Sequence, residues 1–194
     1  MRCAVFASGN GSNFQALAQA FSDGQEGIDL VFLFSDQAGA HVLDRAEPFG
    51  IKTYHFSPED FANRQGYEEA LLKLCQEEAI DWIILAGYMR VLHAPLVQAY
   101  PQAIINIHPS LLPAFPGRHG IRDAYQAGVE ETGVTVHYVD AGIDSGEIIA
   151  QVHLPIEAGE SLAQLEERIH QLEHQVYPAV IRQLKGREDA KSLN

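Results

Sequence analysis

An apolar run over residues 2–7 (RCAVFA) stops at Ser8-Gly9-Asn10-Gly11-Ser12-Asn13, and helical spacing takes over from Phe14 to Phe21. A strand that ends in a glycine loop and re-enters as a helix returns to its sheet by a crossover, which favours parallel strands. Further apolar runs of strand length follow: Ile28 to Phe34 (IDLVFLF), Ile51 to His55, Trp82 to Ala86 (WIILA) and Ile104 to His108. WIILA is apolar throughout, as expected where both sheet faces are covered. Helical patterns are expected near 41–49, 67–78, 95–100 and 120–127, the last after a proline- and glycine-rich stretch at 109–118. Thr135 to Val139 and Ile148 to Leu154 read as two more strands joined by DAGIDSGE, an antiparallel element beside a mostly parallel sheet. A long helix is expected from Ser161, which has capping-box spacing with Gln164. Leu162, Leu165, Ile169, Leu172, Val176 and Val180 give it one apolar stripe, and Pro178 is expected to kink it. The polar tail from about Gly186 is expected to fray. Nothing divides the chain, so residues 1–194 are expected to form a single α/β domain.

Charge narrows the partners. Net charge is −13, with 26 acidic residues against 13 Lys plus Arg. Phosphate backbones need a basic footprint, so nucleic acid is not the expected partner. Small anions remain accessible through helix N-termini. Cys3 and Cys75 sit in apolar contexts without metal-type spacing, as buried thiols of a reducing compartment do. The first apolar run is too short for a signal peptide or a membrane span, and the expected location is cytoplasmic, without membrane attachment.

The glycine loop partly matches G-x-G-x-x-G, but the third position falls on Phe14, which obstructs the close helix–strand packing a glycine allows. Asp36 stands about where a ribose-binding acid would, and is equally a turn or cap residue. A loop bearing Ser12 and Asn13 at a helix start better suits one terminal phosphate, while a tight turn with a Ser or Asn cap would give the same letters.

The chemistry concentrates in Ile104-Ile105-Asn106-Ile107-His108 and the proline-stiffened segment after it. Side chains alternate along a strand, so Asn106 and His108 face the same way. An amide donor and a proton-carrying ring on one point suit a developing oxyanion. Asp144, between glycines in DAGIDSGE, is the candidate carboxylate beside His108, where it would favour the imidazolium. The chain has no G-x-S-x-G, and neither cysteine is placed as a nucleophile, so the attacking group is expected to come from a substrate. His170-Gln171-Leu172-Glu173-His174 fits H-x-x-E-H, but few residues follow for a protease subdomain, and no metal is expected. His119 and His137 are taken as supporting or solvent-exposed groups.

The segments SGNGSN (8–13), AGYMRVL (86–92), NIHPSLLPAFPG (106–117), GVTVHYVDAGIDSG (133–146) and EHQVYP (173–178) resemble the phosphoribosylglycinamide formyltransferases of the formyl-folate transferase family. The resemblance runs from Arg2 to about Leu184. It implies a Rossmann-like three-layer α/β/α fold and transfer of formyl from 10-formyltetrahydrofolate to the amine of glycinamide ribonucleotide, in purine biosynthesis. It implies Asn106, His108 and Asp144 as the catalytic trio, and Gly11, Ser12, Asn13 and Glu173 as acceptor-substrate contacts. On the folate side it implies Arg64, Met89, Arg90, Val91, Leu92 and Asp140, with Asn106 shared. A monomer or weak homodimer is expected. His170 stands where relatives often carry Gln, and Ala141 replaces a more usual acidic or larger residue. Formyltetrahydrofolate hydrolase, or a folate- or nucleotide-binding module without catalysis, are the alternatives. A methionyl-tRNA formyltransferase would carry a further, nucleic-acid-binding domain.

Overall fold

The computed structural model describes residues 1–24 and 26–192. Elements follow in the order β1 (Arg2–Phe6), α1 (Ser12–Phe21), β2 (Asp29–Ser35), α2 (His41–Ala46), β3 (Lys52–His55), α3 (Arg64–Glu77), β4 (Trp82–Leu85) and α4 (Leu96–Ala99). They continue with β5 (Ile104–His108), α5 (Gly120–Ala127), β6 (Glu131–Tyr138), β7 (Ile148–Pro155) and α6 (Leu162–Ser192). The strands form one sheet in the order β3-β2-β1-β4-β5-β6-β7. The pairs from β3 to β5 are parallel, and β5–β6 and β6–β7 are antiparallel. Strand order reverses between β1 and β4, which opens a crevice at their carboxyl ends.

Period-two alternation sorts the strand residues into two cores. Val5, Leu33, Ile84 and Ile105 pack with Phe14, Leu17 and Phe21 of α1 and with Ile169 and Tyr177 of α6. Phe6, Phe32, Phe34, Ile83 and Leu85 pack on the opposite face with Tyr67, Leu71 and Leu74 of α3. Three layers result, and each such side chain removed from water contributes about 1.5–3 kcal/mol.

The expected antiparallel pair is present, and β6 begins earlier than Thr135. Its first residues, Glu131-Thr132-Gly133, do not look like a strand, yet a Cβ on Gly133 would lie 2.1 Å from the Val152 carbonyl oxygen of β7. Only glycine fits that close approach. Helix α3 begins at Arg64 because Asn63 Oδ1 caps it, accepting from the Gly66 amide at 2.9 Å.

Helix α6 has the expected reciprocal cap: Ser161 N–H donates to Gln164 Oε1 at 2.9 Å and Gln164 N–H to Ser161 Oγ at 3.3 Å. It continues through Pro178 and past Gly186. The expected fraying does not occur by Ser192, since Glu188 accepts from the Trp82 indole and Lys185 pairs with Asp189. Leu193 and Asn194 lie outside the described residues. Midway along α6, the buried Tyr177 hydroxyl donates to the carbonyls of Leu85 at 2.8 Å and Ile105 at 3.2 Å, pinning the helix to the ends of β4 and β5. The Leu112–Pro113 and Ala94–Pro95 bonds are cis. Among the described residues no helix is long and apolar enough to cross a membrane.

Candidate active site

The crevice is a cleft of about 710 Å³, walled by the loops after β1, β4, β5 and β6 and by the side of α6. Asn106, His108 and Asp144 meet at its centre. Asn106 Nδ2 lies 3.5 Å from Asp144 Oδ1, and His108 Nδ1 lies 3.5 Å from Asp144 Oδ2. The two strand residues thus share a face, as alternation requires, and a carboxylate from the connection between the neighbouring β6 and β7 reaches both. His108 is 4 % exposed, and its Nε2 lies 2.8 Å from the Phe115 carbonyl. Both ring nitrogens therefore face oxygen atoms, one of the Asp144 carboxylate and one of the Phe115 backbone.

Asp144 is held from several sides. The Gly117 amide donates to Oδ2 at 2.8 Å, and His137 Nε2 lies 3.6 Å from Oδ1. Burial pushes its carboxyl up, but the hydrogen bonds from His137 and Gly117 and the charges of both histidines outweigh that and hold it below the ordinary value. Asp144 and Phe115, both of which contact His108, have φ of 50° and 53°. Left-handed non-glycine residues cost on the order of 1–3 kcal/mol each and persist where the surroundings enforce them. Gly146 lets the connection turn tightly, since a Cβ there would stand 1.8 Å from the Tyr138 carbonyl oxygen.

His137 is the side chain whose part the sequence understated. It is 2 % exposed and lies directly opposite Asn106 in the antiparallel register. Its Nε2 is 3.2 Å from Asn106 Nδ2, and its Nδ1 is 2.8 Å from the Tyr138 carbonyl. His119 is exposed on the cleft wall.

At one end of the cleft stands the glycine loop. Gly11 is the N-cap of α1 at φ 78°, and no side chain caps the helix. Ser12 and Asn13 are its first residues, so the reading of them as caps is corrected, and the N–H groups of the first turn are left for an anion. Asn13 Nδ2 donates instead to Glu173 Oε2 at 3.2 Å, and His170 Nδ1 binds the same oxygen at 2.9 Å. Glu173 is 4 % exposed. The Glu173 carboxylate raises the His170 pKa against the opposing effect of burial. All three side chains line the cleft.

The other end is apolar. Met89, Val91 and Ile143 line it while 47 %, 38 % and 63 % exposed, an open hydrophobic platform beside Arg90, Leu92 and Asp140. Asp140 Oδ1 accepts from the Gly142 amide at 2.9 Å and the Ser145 hydroxyl at 2.8 Å, shaping the loop that carries Asp144. Arg64 lies outside the lining. Its Nη2 donates to the Val91 carbonyl at 3.2 Å and to His93 Nδ1 at 2.8 Å, so it braces the wall from behind. Asp36 caps no helix. It is buried against Ser8 and Arg90.

Among the described residues no group of three His, Cys, Asp or Glu side chains is placed to hold a metal ion. Cys3 and Cys75 are core residues, both pushed up by burial to about 12. Neither is in the cleft lining.

The formyl transferase family model matches residues 1–181. The chain is 46% identical over 183 residues to a phosphoribosylglycinamide formyltransferase of Bacillus subtilis (strain 168), covering 94% of each. It is similar in structure to glycinamide ribonucleotide transformylase 1 from Geobacillus kaustophilus, with a TM-score of 0.91 and 51% identity, covering 94% of this chain and 97% of the other. A phosphoribosylglycinamide formyltransferase from Streptococcus pneumoniae TIGR4 gives a TM-score of 0.89 at 45% identity, covering 94% and 98%.

Proposed function

The chain belongs to the formyl transferase family, and from that premise we propose how its cleft moves a formyl group from a folate to the amine of glycinamide ribonucleotide, in purine biosynthesis. The observation that carries the reading is the position of Asp144. It gathers Asn106 and His108 at the point where an anion-binding helix end and an apolar wall meet in one cleft.

The donor is 10-formyltetrahydrofolate, which supplies an activated formyl group when bound. The wall fits such a flat heterocycle: Met89, Val91 and Ile143 leave apolar surface open on the cleft, and Leu92 and Asp140 border it. The acceptor's phosphate sits on the first turn of α1, held by Gly11, Ser12 and Asn13. Glu173 binds the acceptor through its Oε1, since Asn13 and His170 both occupy Oε2. With both ends filled, the amine and the formyl carbon meet beside Asn106.

Asn106 and the His108 imidazolium stabilise the oxygen that gains negative charge as the amine attacks. Asp144 sustains the charge of His108 and receives the proton the amine gives up, which is returned to the departing nitrogen. His137 supports Asn106 and Asp144 from the neighbouring strand. No protein nucleophile takes part, since the attacking nitrogen belongs to the acceptor.

The test is a spectrophotometric assay of 10-formyl-dideazafolate deformylation with and without glycinamide ribonucleotide. Deformylation that requires the ribonucleotide is the expected result. Deformylation without it would establish a hydrolase instead, and folate binding with no deformylation a binding module.

A further inference from the structure

Asp36 immediately follows β2 and is 3 % exposed, yet nothing in the mechanism uses it. Its carboxylate is fully engaged. Oδ1 accepts from the Ser8 hydroxyl at 2.6 Å, and Oδ2 accepts from Arg90 Nε at 2.6 Å and from Gln37 Nε2 at 2.9 Å. Ser8 opens the glycine loop, and Arg90 belongs to the folate wall. Ser8 is tied to that wall twice more: its N–H donates to the Gly87 carbonyl at 3.0 Å, and its Oγ accepts from the Met89 amide at 2.9 Å. A single buried carboxylate therefore joins the start of the acceptor loop to the arginine of the donor wall, across the point where the strand order reverses.

The arrangement is specific. Burial would drive the Asp36 carboxyl up, and the hydrogen bonds from Ser8, Gln37 and Arg90 overcome it and hold it below the ordinary range. Arg90 gives Asp36 its Nε, so its two terminal nitrogens stand outside that pair while the residue lines the cleft. A guanidinium fixed at Nε keeps its outer edge in one orientation. The loop is anchored on its far side as well. The Val42 amide donates to the Gly9 carbonyl at 3.0 Å, and Arg45 Nη2 donates to Asn10 Oδ1 at 2.9 Å. The loop is thus held between Asp36 at Ser8 and helix α2 at Gly9 and Asn10, which fixes the approach to Gly11 and Asn13.

We propose that Asp36 is a positioning residue that locks Ser8 and Arg90 together, so that donor and acceptor each raise the other's affinity through this clamp. The proposal rests on the formyl-transfer reading of the cleft. A ligand that engages the outer edge of Arg90 bears on the Arg90–Asp36 pair and through it on Ser8, so the second ligand meets a loop held more firmly. The coupling is reciprocal by thermodynamic necessity.

Isothermal calorimetry on the full chain tests it, with 5,8-dideazafolate as a donor analogue that carries no formyl group and glycinamide ribonucleotide as the second ligand. Saturating ribonucleotide is expected to tighten analogue binding about fivefold or more in the wild type. Asp36→Asn is expected to weaken the analogue about tenfold and to bring the coupling below about twofold. Arg90→Gln is expected to do the same, and adding Asp36→Asn to it is expected to change nothing further, because the carboxylate acts through the guanidinium. Ser8→Ala removes the coupling by itself, which provides the test if thermal melting shows Asp36→Asn to be unfolded. Wild-type affinity and coupling in Asp36→Asn, or effects of Asp36→Asn and Arg90→Gln that multiply in the double variant, would overturn the clamp. Formyl transfer by the wild type is assayed in parallel. Transfer without coupling overturns the clamp alone, whereas no transfer and no binding overturn the functional reading with it.

Discussion

The two ends of the acceptor's path are built from different materials. At the end proposed for the phosphate the groups on offer are backbone amides, delivered by one left-handed glycine and the first turn of α1, all within a few residues of each other. At the proposed reacting centre they are side chains, Asn106 and His108 from β5, Asp144 from the connection after β6 and His137 from β6 itself. Backbone donors offer a fixed dipole and suit binding. Side chains on separate elements can exchange a proton, which suits chemistry. The difference predicts that damage at the centre appears in kcat and damage at the acceptor end in KM.

The sharpest way to break this division is Asp144→Asn, which keeps shape and removes charge. Turnover is expected to fall about 10³-fold, within the range of general acid–base contributions, while KM for the ribonucleotide stays within a few-fold; steady-state kinetics with an unchanged kcat would end the role given to Asp144. Next in size is Glu173→Gln at the acceptor end. KM for the ribonucleotide is expected to rise roughly 10- to 100-fold, matching the loss of a charged hydrogen bond of about 1.5–3 kcal/mol, with a smaller change in kcat. A kcat loss with KM intact would move Glu173 across the division.

The smallest effect concerns His170. Its pKa is raised above the ordinary 6.5 by Glu173. A group whose folded-state pKa is raised contributes stability that is complete below the unfolded value and is lost as pH rises through the folded one. The wild type should therefore melt on the order of 2 °C above His170→Gln near pH 6, with the gap closing as pH rises past His170's own titration. His170 is half exposed, so solvent screens the pair and keeps the effect small. A gap that widened with pH would contradict the pairing.

Much of this was legible in the letters. Short apolar runs alternating with helical spacing specified the parallel half of the sheet, because strands covered on both faces need nothing but apolar residues. Asn106 and His108 could be placed on one face from alternation alone. What stayed hidden depended on register and on distant partners. The start of β6 is polar and holds a glycine that only the neighbouring carbonyl of Val152 explains. His137 became meaningful once β5 and β6 were paired, which sets it opposite Asn106. Asp36 has the letters of a turn, and its partner Arg90 is 54 residues away. Arg64 offered a charge suited to a carboxylate, and in the fold it faces the protein's own Glu68 at 3.6 Å while donating to the Val91 carbonyl and His93.

Helix α6 is the last element in the chain, and it carries both Glu173, whose contact with Asn13 spans 160 residues, and the Tyr177 clamp on β4 and β5. During synthesis the loop proposed for the acceptor's phosphate emerges 160 residues before its acidic counterpart. A growing chain can therefore assemble most of its sheet and still have no finished seat for the amine. The proposed seat is complete only with α6 docked, because Glu173 and Tyr177 ride on the same helix.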